Sequence, residues 1–239
     1  MKRVALCMAL LAGLGSVADA SAWQRPAAGE VPENLINGGF LDYHPDMANR
    51  GRGMQFLKDG SAEKAMEAFR RGARYADKPS QGLLGEMYWY GVDMPRDPVQ
   101  AYLWMDLAAE RGYPLFIELR DRYRATLTAE QLARAEAGKS ALWAEYADDV
   151  AMPRLAAELV RGKRSMTGSR TGFMGNQTTV SVAGPTGNRT IDASEFYDEK
   201  YWDPAEYRAW QDQAWMSLPK GNVEVGIPQS VKEKSEDKQ

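Results

Sequence analysis

Apolar residues recur at steps of three and four from about Asp46 to about Arg164, which predicts a succession of amphipathic helices. Between residues 61 and 124 the pattern repeats itself. An offset of 36 aligns Ala65 with Ala101, Phe69 with Met105, Gly72 with Ala108, Ala73 with Ala109 and Leu83 with Leu119. A helix-pair unit of that length cannot bury its apolar face alone, so it stacks on its neighbours. The predicted class is mainly α, a short α/α solenoid. Small residues at 72–73 and 108–109 are expected to let the two helices of a unit approach closely. Four helix starts have a visible cause: Ser61, Asp97, Thr128 and Asp203 can each accept a bond from an unpaired N–H of the first turn. Pro98 and Pro204 fall at first helical positions, and Gln100, Gln131 and Glu206 stand where a capping box needs them.

The pattern breaks on both sides of this stretch. Residues 23–45 carry Pro and Gly punctuation and no sustained period, and are expected to form a linker or loosely packed arm. Thr128 to Tyr146 reads as a capping helix, with Leu132, Ala135, Leu142 and Tyr146 on one stripe. Asp148 to Arg164 reads as a short helix, interrupted or started near Pro153. From Ser165 the chain is rich in Gly, Ser and Thr. Thr178 to Val182 alternates like a strand and Pro185-Thr186-Gly187-Asn188 signals a turn, so a small hairpin ending near Ile191 is predicted. Asp192 to Leu218 then holds seven aromatics in 27 residues, and helical periodicity returns from Asp203. Tyr207, Trp210, Ala214 and Leu218 form one stripe, with Trp215 about 80° away. Two readings stay open: the stripe docks on the solenoid, or the region is an aromatic ligand platform with Trp215 at its centre. The expected divisions are 23–45 for the arm, 46–164 for the repeats, 165–228 for the extension and 229–239 for a charged tail.

Leu84 to Gly112 reads LGEMYWYGVDMPRDPVQAYLWMDLAAERG. Leu84, Gly85, Met87, Tyr88, Gly91, Asp97, Ala101, Trp104, Ala108, Ala109 and Gly112 stand in the register of the Sel1-like repeat, a relative of the tetratricopeptide repeat, and the segment resembles that family. Asp93 replaces the second loop glycine, Met94 a valine and Gln100 a lysine. The preceding unit, roughly Asp46 to Ala76, is degenerate, with a short Asp59-Gly60 loop. The resemblance spans about residues 46–146. It implies an α-solenoid that binds proteins or peptides, most members having no catalytic residues. It also implies that Tyr88 and Trp104 fill the space between helices and that Gly85 permits close approach. Glu86, Trp89 and Tyr90 lie at positions free of the family pattern, with Arg122 an equivalent one repeat on. These four, with Trp215, are the candidate partner-binding residues.

Composition narrows the chemistry. The chain has 239 residues, 30 Lys and Arg against 33 Asp and Glu, one His and one Cys. No basic excess exists to neutralise a phosphate backbone, so nucleic-acid binding is not expected. One His and one Cys disfavour zinc sites and His-dependent nucleophilic catalysis. Ser61 and Lys64 have S-x-x-K spacing, with Arg170-Thr171-Gly172 downstream, but Ser61 is explained as a cap and the intervening motif is missing. His44 is a lone loop histidine, and no catalytic, cofactor or metal site is expected. Residues 1–22 begin with Lys2 and Arg3, continue with an apolar stretch from Val4 to Val17 and end in A-x-A pairs, the pattern of a signal peptide cleaved after Ala22 or Ala20. The expectation is an exported, periplasmic or secreted protein-interaction module without a membrane span. The alternative is an envelope carbohydrate- or peptidoglycan-binding accessory factor.

Overall fold

A computed structural model describes residues 31–167, 179–184 and 187–216. The expected signal peptide, the charged tail, Leu218 and the turn residues 185–186 lie outside them. The element order is α1 (Glu33–Asn37), a 3-10 turn (Phe40–Asp42), α2 (Pro45–Lys58), α3 (Ala62–Ala73), α4 (Lys78–Tyr90), α5 (Pro98–Ala108), a 3-10 turn (Ala109–Arg111), α6 (Pro114–Thr126), α7 (Ala129–Tyr146) and α8 (Asp148–Thr167). Then come β1 (Thr179–Gly184), β2 (Gly187–Asp192), α9 (Ala193–Phe196), α10 (Glu199–Trp202) and α11 (Pro204–Met216). This is the α/α solenoid with a β-hairpin that the periodicity predicts.

Helices α2 and α3 form one pair, α4 and α5 the next. In each pair a glycine sets how closely the helices meet. A Cβ at Gly85 would come within 3.1 Å of the Ala101 carbonyl, and one at Gly53 within 2.3 Å of the Phe69 ring. A Cβ at Gly72 would come within 3.3 Å of the Asp46 carbonyl of α2, as expected for the two helices of a unit, and would also strike Ser80 Oγ of the following helix α4 at 2.7 Å. Trp104 fills the core at 3% exposure, against the edge of Tyr146. The Tyr88 hydroxyl, half-buried, accepts a bond from Arg70. In the α4–α5 loop Gly91 has φ 67° and Asp93 φ 53°, so Asp93 keeps the left-handed backbone of the glycine it replaces, a conformation Asp tolerates better than most residues.

The caps divide. Asp97 accepts from the Val99 and Gln100 amides, Thr128 closes a full capping box with Gln131, and Asp203 accepts from the amides of Ala205 and Glu206. Ser61 precedes α3 without a side-chain cap bond. Asp77, which the pattern did not single out, caps α4 through the Ser80 amide. Helices α6 and α7 both pack on α5, α7 through Ala135 against Val99 and Leu103.

Helix α8 runs through Pro153 without a break. Both Pro153 and Asp149, the residue whose carbonyl loses its donor, are exposed, so water can take the place of the missing bond. The hairpin pairs Thr179 with Asp192 and Val180 with Ile191, as its turn signals require. The segment read as a loose arm is packed from residue 31 onward. Leu35 and Phe40 have no exposed surface, and they share a second core with Leu155 and Leu159 of α8 and with Ile191, Phe196, Trp202 and Tyr207. Residues 31–44 and 191–210 therefore build one core together with α8.

Candidate functional site

Four of the five candidate residues gather where α4 and α6 run side by side. Helix α4 carries Glu86, Trp89 and Tyr90; α6 carries Arg122 and, next to it, Tyr123. The Tyr123 hydroxyl donates to Glu86 Oε1 at 2.7 Å. Glu86 is buried, and burial pushes its carboxyl above the usual range although Tyr123 and Arg122 pull it down. Trp89 lies flat on Tyr123, and the Arg96 guanidinium sits 5.1 Å over the indole while its Nε donates to the Trp89 carbonyl. Tyr90 is half-buried, and desolvation followed by the Glu86 charge raises its phenol. Arg122 donates to Glu118 Oε1 at 2.8 Å. The flank is thus an aromatic patch with an acid beneath it and guanidinium groups at its rim. Tyr123, which touches both Glu86 and Trp89, was not among the expected residues; its place at the position of Met87 one repeat on was the available signal.

Trp215 lies elsewhere and is a core residue, 2% exposed. It stacks on Phe116 with centroids 5.5 Å apart and on Tyr113 at 6.3 Å. The platform reading of the aromatic-rich region is corrected by the same measure. Phe196, Tyr197, Tyr201, Trp202, Tyr207, Trp210 and Trp215 are all buried, and α11 docks on the repeats.

That docking runs along the edge formed by the starts of α2, α4 and α6. Tyr207 donates to Asp46 Oδ2 at 2.5 Å, and Tyr113 to Asp212 Oδ1 at 2.5 Å. Beneath α11, Lys78 Nζ, fully buried, meets Glu110 at 2.6 Å and Asp148 at 3.1 Å, while Arg111 pairs with Asp148 at 2.6 Å. Burial raises the Asp148 carboxyl, but the Arg111 and Lys78 charges outweigh it and hold it below the usual range. Asp46 Oδ1 and Trp215 Nε1, both without a partner, line a cavity of about 10 Å³, room for about one water.

Of the residues the sequence offered for reactive chemistry, Ser61 and Lys64 line the same cleft, and Arg170-Thr171-Gly172 lies outside the described residues. Lys64 lies 6.0 Å over the Phe56 ring, and Ser61 borders an open cleft of about 530 Å³ with Met66, Val92 and Met94. His44 is buried between backbone carbonyls. Among the described residues no group of three or more His, Cys, Asp or Glu side chains is placed to hold a metal ion, and no helix is long and apolar enough to cross a membrane.

The architecture defines a helical-repeat protein, with an aromatic flank on one side of the array that no described element covers. Residues 79–113, which form α4, its loop, α5 and the turn after it, match the Sel1 repeat family, so the chain carries a Sel1 repeat. Among solved structures it is similar to c5321, a protective antigen present in uropathogenic Escherichia coli strains displaying an SLR fold, at 28% identity and a TM-score of 0.41. The similarity covers 52% of this chain and 28% of that one, so the chain spans under a third of that protein's length. No curated protein matches the chain.

Proposed function

We propose that the protein is an exported, non-catalytic adaptor of the cell envelope, periplasmic or secreted, which binds a protein or peptide partner on the flank of α4 and α6. The observation that carries this reading is the patch formed by Trp89 and Tyr90 of the matched repeat with Arg122 of the following helix, half-exposed and covered by no described element, while the other edge of the array is occupied by α8 and α11. Half-exposed aromatics beside arginine are the residue types that dominate interface energetics. Export rests on the signal-peptide pattern of residues 1–22. The carbohydrate-binding alternative gains no support, because the aromatics it needs are interior.

The test is site-specific cross-linking from position 90 in envelope extracts. A discrete protein adduct that is lost on Arg122→Glu supports the adaptor reading. Absence of any adduct, with sedimentation of the protein on cell-wall sacculi instead, would replace it by the glycan reading. Amino-terminal sequencing should begin at Trp23 or Ser21, and an intact Met1 in the envelope fraction would refute export.

A further inference from the structure

His44 is the one histidine of the chain and has no exposed surface. Its Nδ1 lies 2.6 Å from the Phe40 carbonyl oxygen and its Nε2 2.8 Å from that of Tyr201. A neutral imidazole carries one N–H, so one nitrogen would present its lone pair to a carbonyl oxygen. An imidazolium satisfies both. The Phe40 ring stacks on the imidazole at 3.7 Å with planes 8° apart, and Trp202 and Tyr207 approach at 5.0 and 5.2 Å. Aromatic faces favour a cation over a neutral ring.

The charged and titratable groups around it complete the picture. Helix α2 supplies Asp46 and Arg50, the cap of α4 supplies Asp77, α10 supplies Tyr201 and α11 supplies Tyr207. Arg50 pairs with Asp77 at 2.7 Å, leaving Asp46 as the second carboxyl of the cluster. Asp46 Oδ2 accepts from Tyr207, whose oxygen accepts from Gln211, and Asp46 Oδ1 has no partner. A proton on that oxygen would have no acceptor among the protein atoms, only the small cavity beside it. We infer that the buried proton of this cluster resides on His44, as an imidazolium balanced by an ionised Asp46, and that the pair clasps the C-terminal extension to the start of the repeat array. Burial opposes both charges. It drives the imidazole down to about 4 against the pull of the two carbonyls, and it raises the Asp46 carboxyl. The hydrogen-bond geometry decides for the charged pair: each neutral form leaves a mismatched contact, whereas Asp46, Asp77, Arg50 and His44 charged together are neutral overall.

The clasp holds α10 through the Tyr201 carbonyl and α11 through the Tyr207 hydroxyl. Loss of the His44 proton at high pH therefore loosens the extension. Selective ¹⁵N labelling of histidine gives a single set of ring signals in the full-length protein. At pH 7 both ring nitrogens are expected to be protonated, and a single bare nitrogen would overturn the assignment. In Asp46→Asn the affinity of His44 for its proton should fall at least ten-fold, and an unchanged titration would remove Asp46 from the clasp. Amide protection factors in residues 199–216 of the wild-type chain should drop with the same midpoint as the ring signals. Constant protection across that midpoint overturns the clasp even if Asp46→Asn fails to fold.

Discussion

The Trp89 indole and the Tyr123 ring lie 4.1 Å apart with their planes 8° from parallel. The stack joins the last turn of α4 to the last turns of α6, and it fixes the orientation of the open flank. Trp89 therefore serves the fold as well as any partner, while Tyr90 beside it is freer. Trp89→Ala should lower stability by about 1–2 kcal/mol, from lost burial and the ring pair together. Tyr90→Ala should cost less than about 1 kcal/mol while weakening partner capture more. Urea denaturation beside the cross-linking yield separates the two.

Trp104 occupies the centre of the matched repeat, with Gly85 of α4 pressed on the Ala101 carbonyl one turn earlier in α5. Trp104→Ala should destabilise by about 3–5 kcal/mol. Gly85→Ala should cost about 1–3 kcal/mol, because backbone rather than a flexible side chain meets the new methyl group. A loss under about 1 kcal/mol for Trp104→Ala in chemical denaturation would mean that the repeat register is misplaced.

Much of this was legible because it is local. The pairing of α4 with α5, the caps at Asp97, Thr128 and Asp203, and the hairpin each rest on residues a few positions apart, so spacing reveals them. What escaped is long-range. The Tyr207–Asp46 bond and the His44 contact with Tyr201 join residues 161 and 157 positions apart, and no periodicity marks them. The segment from Val31 to His44 looked loose because its anchors, Leu35 and Phe40, pack on helices too distant in sequence to suggest a face. Trp215 was off the stripe of α11, yet both sides of that helix are covered, one by α8 and α10 and one by Phe116.

Asp148 ties the start of α8 to Lys78 and Arg111, both buried. Removing the carboxylate leaves two buried cations with Glu110 and the more distant Asp212 as their remaining carboxylates. Asp148→Ala should destabilise by about 3–5 kcal/mol, far beyond a surface pair such as Arg71–Glu67. Thermal unfolding of the two alanine variants, Asp148→Ala and Glu67→Ala, compares them directly. Equal small shifts would show the network to be energetically idle.

Glu86 makes stability depend on pH in the direction opposite to a salt-bridged acid. Burial raises its carboxyl in the folded chain above the unfolded value. The folded protein then holds a proton that the unfolded chain releases as pH rises through the ordinary carboxylate range. Stability from this group is present at low pH and declines until the raised folded value is passed. Glu86→Gln can still accept from the Tyr123 hydroxyl and never charges. The variant should match the wild type near pH 4 and exceed it near pH 8 in urea midpoint. A variant less stable at pH 8 would mean that the ionised carboxylate is needed there.

The extension and the repeats are mutually dependent, and unequally so. Contacts among α2 to α7 run mostly between helices one or two places apart in the chain, so a chain ending at residue 167 should keep its helical circular dichroism. That truncation uncovers Phe116 of α6 and Tyr113 just before it, Leu155 and Leu159 of α8, and Phe40. It should bind a hydrophobic dye and melt at lower temperature. Trp215→Ala is the graded version, expected to cost about 3–5 kcal/mol without exposing the second core. The isolated segment 168–239 lacks the helices that cover Phe196, Trp202 and Tyr207, and should be largely unfolded in water. A cooperative melt of that segment alone would make it a domain in its own right, and partner binding would then have to be sought on it as well as on the flank of α4 and α6.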